Sequence, residues 1–151
     1  MPNPIKIQFN QQFSIYCEFK PNKSTILDYQ LVQVLGSGSF SVIWLAKNKK
    51  SSDVYAIKII NKKKLLLENA QENLISEVEI MKKLKGKFGV LQLYEAFSSF
   101  NYSFMLLEHS ELGTLQDLFK GMGPFKFTEV SYYLVQITTG LHSLHSSKII
   151  Y

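Results

Sequence analysis

The sequence predicts an α+β fold, in which a five-stranded antiparallel sheet with one packed helix is followed by the first helices of a second, helical part. Three observations support this prediction. Three β-rich segments follow one another between residues 29 and 60 with short connections, which is typical of an antiparallel meander. A helical period then covers about residues 68–84, and two more strand-like segments follow it. A longer helical period fills residues 128–144.

The sheet is expected to begin with three consecutive strands. Residues 1–28 show no sustained period, so we interpret them as an extension that precedes the domain. The first two strands are predicted at Tyr29–Leu35 and Phe40–Lys47, on either side of the turn Gly36-Ser37-Gly38-Ser39. A polar turn then leads to a third strand at Val54–Ile60, which is rich in β-branched residues.

One helix and two further strands are expected to complete the sheet domain. Apolar residues recur at helical spacing from Leu74 to Leu84, which predicts a single helix over about residues 68–84. Two strands are predicted at Val90–Phe97 and Tyr102–Glu108, around a short polar turn.

Two helices are expected after the sheet. The first is short and covers Thr114–Lys120. Thr128 is the predicted N-cap of a longer helix, with Glu129 in the first turn and apolar residues recurring as far as Leu144. We expect this long helix to expose an apolar face, because the chain lacks further elements that would cover it.

The composition excludes several classes of protein. With 151 residues, 46% of them hydrophobic, the chain has the length and composition of one globular domain. It has no apolar stretch long enough to cross a bilayer and no secretory signal pattern, so we expect a cytoplasmic, intracellular protein. Its net charge of +5 comes from lysine without any arginine, which argues against nucleic-acid binding. Cys17 is the only cysteine, which excludes an internal disulfide, and His109, His142 and His145 lack metal-ligand spacing.

A glycine-containing turn is the first candidate site. In Gly36-Ser37-Gly38-Ser39-Phe40-Ser41, two residues without a Cβ atom would let backbone N–H groups approach a phosphate closely. An ordinary hairpin turn fits the same residues. A dinucleotide-binding loop would open a helix and be followed by an acidic residue about 20 positions later. Here a strand follows the turn, and Lys58 stands near that distance, which favours a triphosphate over a dinucleotide.

Lys58 and Glu77 form the second candidate site. Lys58 is the lone charge in the apolar strand Tyr55–Ile60. Glu77 falls in the middle of the apolar arc of its helix, between Leu74 and Leu84 on a helical wheel. A carboxylate on a buried face is destabilising unless it is paired, so we expect an ion pair between Glu77 and Lys58. A solvated position of Glu77 at the rim of the helix is the alternative.

Taken in order, these segments resemble the protein kinase family over residues 29–151. The segment from Leu35 to Ile43 is similar to the glycine-rich loop of kinases, and Tyr55-Ala56-Ile57-Lys58 is similar to their Val-Ala-Ile-Lys strand. Glu77 matches the glutamate of the kinase helix αC. Each segment is weakly specific by itself, whereas the ordered set is specific.

The resemblance implies a protein-kinase-like fold that binds ATP. Residues 29–108 would form the five-stranded N-lobe with helix αC, and residues 109–151 the hinge and the first C-lobe helices, αD and αE. Lys58 would hold the α- and β-phosphates and be oriented by Glu77, while amides of the loop would cover the phosphates. The residues assigned to ATP in this way are Leu35, Gly36, Ser37, Gly38, Ser39, Phe40, Ser41, Ile43, Ala56, Lys58, Leu107, Glu108, His109, Ser110 and Asp117.

Several members of this set have a specific implied role. Leu107 corresponds to the gatekeeper, and residues 108–110 correspond to the hinge, whose backbone hydrogen-bonds the adenine. Ile43 and Ala56 would enclose the base. Asp117 stands where many kinases place a ribose contact, and an ordinary surface position on a helix is the alternative. Ser41 departs from the family pattern because it replaces the third loop glycine, a change that we expect to be tolerated.

Within the family, the similarity points to the AGC group and especially to its phosphoinositide-dependent branch, which phosphorylates serine and threonine residues of protein substrates. It rests on the spacing from Lys58 to Glu77 and on the segment Ser76–Met81. AGC kinases dock a hydrophobic-motif peptide beside αC, and ordinary core packing is the alternative for the apolar residues at that place. These residues are Leu65, Leu66, Leu67, Leu74, Ile75 and Val78.

Catalysis by a kinase needs one aspartate that positions the attacking hydroxyl and another that binds Mg²⁺. Asp28, Asp53 and Asp117, the only aspartates, stand elsewhere in the order of motifs. We therefore expect the chain to stop before the catalytic loop, to be inactive alone, and to use Mg²⁺ only as part of a full-length kinase. Two functions stay open: the ATP-binding portion of a protein serine/threonine kinase, and an inactive kinase-like module that binds a nucleotide or a partner.

Overall fold

A five-stranded antiparallel sheet forms the first half of the fold in a computed structural model that describes residues 24–150. The N-terminal extension is thus described only from Ser24 onward, and Tyr151 lies outside the described residues. A short 3-10 turn, Ile26–Asp28, leads into the sheet. The strands are β1 (Tyr29–Ser37), β2 (Ser41–Asn48), β3 (Val54–Asn61), β4 (Leu93–Ser98) and β5 (Tyr102–Leu107).

The strands pair in the order β1-β2-β3-β5-β4, and every neighbouring pair is antiparallel. All five predicted strands are therefore confirmed, although β4 begins at Leu93 rather than at Val90. The polar turn between β2 and β3 forms because the Asn48 side-chain oxygen accepts hydrogen bonds from the N–H groups of Lys50 and Ser51.

Two helices, rather than the single one predicted, lie between β3 and β4. They are α1 (Lys62–Leu67) and α2 (Gln71–Lys83). The α1 helix begins directly after β3 because Asn61 caps it: the side-chain oxygen of Asn61 accepts a hydrogen bond from Lys64 N–H at 3.1 Å. Asn69, with a φ of 51°, then turns the chain out of α1. The predicted start at residue 68 is thus wrong.

Two further helices follow the sheet, α3 (Leu115–Met122) and α4 (Phe127–Ser146). The predicted N-cap of the long helix, Thr128, is wrong, because Thr128 lies inside the first turn of α4. Lys126 is the N-cap instead, and its N–H donates a 2.7 Å hydrogen bond to the Glu129 carboxylate. An acidic side chain at this position satisfies a backbone donor and favours the N-terminal end of the helix dipole.

Side chains alternate between the two faces of the sheet along each strand. Both faces carry a cluster of buried apolar residues. The helices α1 and α2 pack on one face, which we call the inner face. Its core contains Ala56, Ile60, Leu65, Leu74, Met105 and Leu107. The opposite, outer face carries a second cluster with Tyr29, Ala46, Ile57, Phe97, Phe104 and Leu106.

The long helix α4 is joined to the sheet domain through the C-terminal end of α2 and the loop between α2 and β4. The Ser143 hydroxyl donates to the Phe88 carbonyl at 3.0 Å, and Lys83 Nζ donates to the Ser147 carbonyl at 2.7 Å. Elsewhere α4 exposes large apolar side chains, including Tyr132, Leu134 and Val135, as its sequence predicted. None of the helices in the described range 24–150 is long and apolar enough to cross a membrane.

Candidate functional site

The predicted ion pair between Lys58 and Glu77 is confirmed. Lys58 lies on the inner face of β3, opposite Ile43 on β2 and Met105 on β5, and it therefore points toward α2. The Glu77 carboxylate on α2 accepts hydrogen bonds from Lys58 Nζ with both oxygens, at 2.7 and 2.9 Å. Contact with both oxygens fixes the direction of the ammonium group more narrowly than one hydrogen bond would.

Glu77 is only partly buried, less than its place in the apolar arc predicted. Its side chain is 41% exposed, and that of Lys58 is 21% exposed. The helical wheel placed Glu77 on the correct face, between the buried residues Leu74 and Leu84. A cavity nevertheless opens beside it and leaves the carboxylate partly hydrated. A partly hydrated pair contributes little to stability, so its main effect is to hold the lysine in place.

The glycine-containing turn covers the pocket in which this ion pair lies. The turn is closed by a 2.8 Å hydrogen bond from Gly38 N–H to the Ser41 carbonyl. Asn61 N–H ties it to the end of β3 by donating to the Phe40 carbonyl at 2.9 Å. Residues 38–41, Lys58 and Glu77 together line a cavity of about 220 Å³. The structure therefore brings the two predicted sites together.

The sequence prediction did not assign five residues that line this pocket, four of them apolar and one polar: Ile60, Leu65, Ala70, Leu74 and Asn73. The polar one, Asn73, lies one helical turn before Glu77 on α2. That spacing of four residues is the signal that could have found it, since such residues share a helix face.

The predicted apolar enclosure lies on the same inner face as Lys58. Ile43 is directly opposite Lys58, and Ala56 is directly opposite Leu107. Ala56 and Leu107 are buried, whereas Leu35 at the end of β1 is 42% exposed. Ala56 and Leu107 continue the wall that carries Lys58 toward β5, and Ile43 continues it toward β2.

The segment after β5, residues 108–110, leaves two backbone groups available. Glu108 N–H donates to the Gln92 carbonyl at 3.0 Å, and the Ser110 hydroxyl donates to the Gly113 carbonyl at 3.0 Å. Within residues 24–150, the Glu108 carbonyl and the Ser110 N–H take part in no hydrogen bond. With His109, these residues line a separate cavity of about 720 Å³, which the loop 86–92 and Gln136 complete.

Asp117 has a structural contact that the sequence prediction did not anticipate. Its carboxylate accepts hydrogen bonds from Thr114 Oγ1 at 2.6 Å and from Thr114 N–H at 2.9 Å, and so caps α3. These hydrogen bonds hold the pKa of Asp117 below its usual value, and the one from the Thr114 hydroxyl has the largest effect. A ribose contact of Asp117 stays a prediction.

The two remaining aspartates are also engaged away from the Lys58–Glu77 pair. Asp28 accepts hydrogen bonds from Thr25 N–H and Thr25 Oγ1, and Asp53 accepts one from Ser51 Oγ at 2.6 Å. Neither carboxylate lines the pocket under the glycine turn.

The apolar residues beside α2 mostly serve the core. Leu65 and Leu74 are 3% and 9% exposed and belong to the inner cluster, against which Val78 packs. Leu67, in contrast, is 72% exposed. Core packing, the alternative to a peptide-docking role, therefore accounts for Leu65 and Leu74.

Comparison with known proteins agrees with these features. The family described as "Protein kinase domain" matches residues 29–151. An Aurora kinase of Candida glabrata is 32% identical over 130 residues, which cover 86% of this chain and 36% of that protein. The serine/threonine-protein kinase cds1 of Schizosaccharomyces pombe is 35% identical over 131 residues, covering 84% and 28%. A protein kinase C of Drosophila melanogaster is 26% identical over 134 residues, covering 89% and 18%.

The chain thus spans between 18% and 36% of the length of these relatives. Its sheet, with α2 against the inner face, corresponds to the N-lobe of the protein kinase fold, and α3 and α4 correspond to helices of the C-lobe. Since the family match covers most of the sequence and the fold agrees with it, this chain belongs to the protein kinase family.

Proposed function

We propose that this chain is the ATP-binding portion of a protein serine/threonine kinase, which as a full-length protein transfers the γ-phosphoryl group of ATP to protein hydroxyls. The observation that carries the proposal is the contact of Lys58 Nζ with both Glu77 oxygens, in a pocket covered by the glycine turn. The cds1 relative is a serine/threonine-protein kinase, which supports the serine/threonine class.

The pocket, the apolar wall beside it and the segment after β5 each suit one part of ATP. The Lys58 ammonium offers a fixed positive charge to the α- and β-phosphates, and the turn offers backbone N–H groups with little side-chain bulk. Ile43, Ala56 and Leu107 offer an apolar wall to the adenine ring. The Glu108 carbonyl and the Ser110 N–H supply an acceptor and a donor for its edge.

We propose that the chain alone binds ATP without transferring phosphate. The transfer step in kinases needs aspartates that position the hydroxyl and Mg²⁺. Here Asp28 and Asp117 cap helical turns, and Asp53 accepts a hydrogen bond within the turn between β2 and β3. The same observation favours the second candidate, an inactive kinase-like module. The two are distinguished by the coding sequence after Tyr151: an Arg-Asp-Leu-Lys-Pro-x-Asn segment followed by Asp-Phe-Gly supports the kinase, and their absence supports the module.

ATP binding is tested by calorimetric titration of the chain and its Lys58→Met variant. Loss of the ammonium should weaken ATP binding by at least about tenfold, which corresponds to roughly 1.4 kcal/mol. Lys47→Met, which removes an exposed lysine from β2, is the matched control and should bind like the wild type. Equal affinities of all three proteins would overturn the proposal, as would tight binding of NADH with no response to ATP.

We also propose membership of the AGC group and docking of a hydrophobic peptide beside α2. The group assignment is supported by the segment Ser76–Met81 and by the spacing from Lys58 to Glu77. The docking site would involve the rim residues Leu66 and Ile75, because Leu65 and Leu74 are committed to the core. Binding of a synthetic peptide with two aromatic residues, lost in Ile75→Asp and kept in the Glu79→Gln control, would support it.

A further inference from the structure

The outer face of the sheet carries a groove of about 500 Å³ that the proposed function does not use. Part of its lining comes from residues 38–41 of the glycine turn, which also cover the pocket on the inner face. Most of the remaining lining is apolar and comes from Ile26, Val42, Trp44, Ile59, Tyr102 and Phe104.

This groove belongs to a broader apolar surface. Val34 on β1 is directly opposite Trp44 in the register and is 52% exposed, and Tyr102 at the other end is 41% exposed. Helices α1 and α2 cover the inner face instead. An exposed apolar groove of this kind is a site at which another apolar segment can be buried.

The first residues that the structure describes, beginning with Ser24, lie beside this surface. Ser24 N–H donates to the Glu95 carboxylate on β4 at 3.3 Å, and Ile26, two residues later, lines the groove. The segment that precedes Ser24 therefore starts at the margin of the groove. Because an extended chain spans up to about 3.4 Å per residue, residues 13–23 are long enough to cross roughly 35 Å.

The sequence of that segment has an apolar face. Residues 1–28 show no sustained period as a whole, since Gln11 interrupts the pattern, but the large aliphatic residues and phenylalanines before residue 20 all fall at odd positions. In an extended conformation alternate side chains point to the same side. Phe13, Ile15, Cys17 and Phe19 would then share one face, and Ser14, Tyr16, Glu18 and Lys20 the other.

We propose that Phe13–Phe19 docks in extended form in the outer groove, with Phe13, Ile15 and Phe19 directed into it. The segment would cover the apolar floor around Trp44 and would contact the glycine turn from the side opposite to the Lys58 pocket. The proposal does not rest on ATP binding, because the observations that carry it are the outer groove and the position of the chain at Ser24 and Ile26.

Cys17, the only cysteine of the chain, provides the first test. In the full chain, Lys64→Cys and Tyr102→Cys each place a second thiol on the groove lining. Lys50→Cys is the matched control, because Lys49 N–H donates to the Asp28 carbonyl and residue 50 is therefore within reach of an undocked tether. Disulfide formation with Cys17 in a glutathione buffer is followed by thiol titration and mass spectrometry.

Docking raises the local thiol concentration above that of a flexible tether, so at least one groove variant should form the disulfide at least about tenfold faster than Lys50→Cys. Equal rates in all three variants, or a faster reaction of Lys50→Cys, would overturn the proposal.

Trp44, the only tryptophan, provides a second test that needs no new thiol. Ile15→Asp and Phe19→Asp should release the segment, shift the Trp44 emission to longer wavelength and increase its quenching by acrylamide. Tyr16→Asp, on the opposite side of the segment, is the control and should leave the emission unchanged. An unchanged Trp44 signal in Ile15→Asp and Phe19→Asp would contradict docking.

Discussion

Gly89 and Gly140 meet backbone to backbone. A Cβ atom on Gly140 would lie 2.5 Å from the Gly89 carbonyl oxygen, and one on Gly89 would lie 2.8 Å from the Gly140 nitrogen. Gly89 also has a φ of 73°, which favours glycine. The contact presses the loop that follows α2 against α4, next to the hydrogen bond from Ser143 to the Phe88 carbonyl. The helix that carries Glu77 is thereby anchored to the first long helix of the C-lobe.

Gly140→Ala should lower the free energy of unfolding by about 1–3 kcal/mol, because the added methyl group cannot fit without moving backbone. This loss is expected although alanine forms helices better than glycine. Gly121→Ala in α3 is the matched control, since a Cβ there meets nothing within 4 Å. It should raise the free energy of unfolding by up to about 1 kcal/mol. Urea unfolding of both variants checks the prediction, and equal stabilities would show that the contact can relax.

The strands and the ion pair were predictable because their signals are local or periodic. The strand-like pattern of side chains located β1 and β2, and the β-branched residues located β3. The helical wheel placed Glu77 toward the sheet. The α1 helix was missed because three lysines and three leucines in succession have no amphipathic period. Asn61, its N-cap, was the only local signal.

Other features depend on distant contacts and could not be predicted. The approach of Gly89 to Gly140 joins residues 51 positions apart and has no periodic signature in the sequence. The exposure of Glu77 depends on the shape of the pocket beside it, which Asn73 and the glycine turn define only in the folded chain. Asp117 suits both a ribose contact and a helix cap, and only the structure shows its bonds to Thr114.

Glu77→Gln should affect ATP binding more than stability. Because the Lys58–Glu77 pair is partly hydrated, removing the charge should change the free energy of unfolding by at most about 1 kcal/mol. ATP affinity should fall by roughly tenfold, since Lys58 loses the charged partner that orients it. Glu79→Gln, at an exposed position of the same helix, is the control. Urea unfolding and calorimetric titration measure the two effects, and lost stability with unchanged affinity would contradict the positioning role.

Gly36→Ala and Gly38→Ala should separate the folding role of the glycine turn from its binding role. A Cβ on Gly36 meets nothing within 4 Å, and one on Gly38 makes an ordinary 3.5 Å contact with Ser41 Oγ. The free energy of unfolding should therefore change by less than about 0.5 kcal/mol. If the turn binds the phosphates as proposed, ATP affinity should nevertheless fall, because each methyl group would crowd the backbone N–H groups proposed to approach them. If titration shows full affinity in both variants, the turn is only a hairpin connection.

The capping contact of Asp117 predicts a specific dependence on pH. Hydrogen bonds from the Thr114 hydroxyl and N–H lower the pKa of Asp117 below 3.8, so the carboxylate stabilises the folded state fully above that pH. This stabilisation is lost as the pH falls through the lower, folded-state pKa. Thr114→Val removes the hydroxyl donor and should raise the pKa of Asp117 toward its usual value. Carboxyl chemical shifts followed by NMR between about pH 6 and pH 2 measure both values, and identical titration curves would contradict the contact.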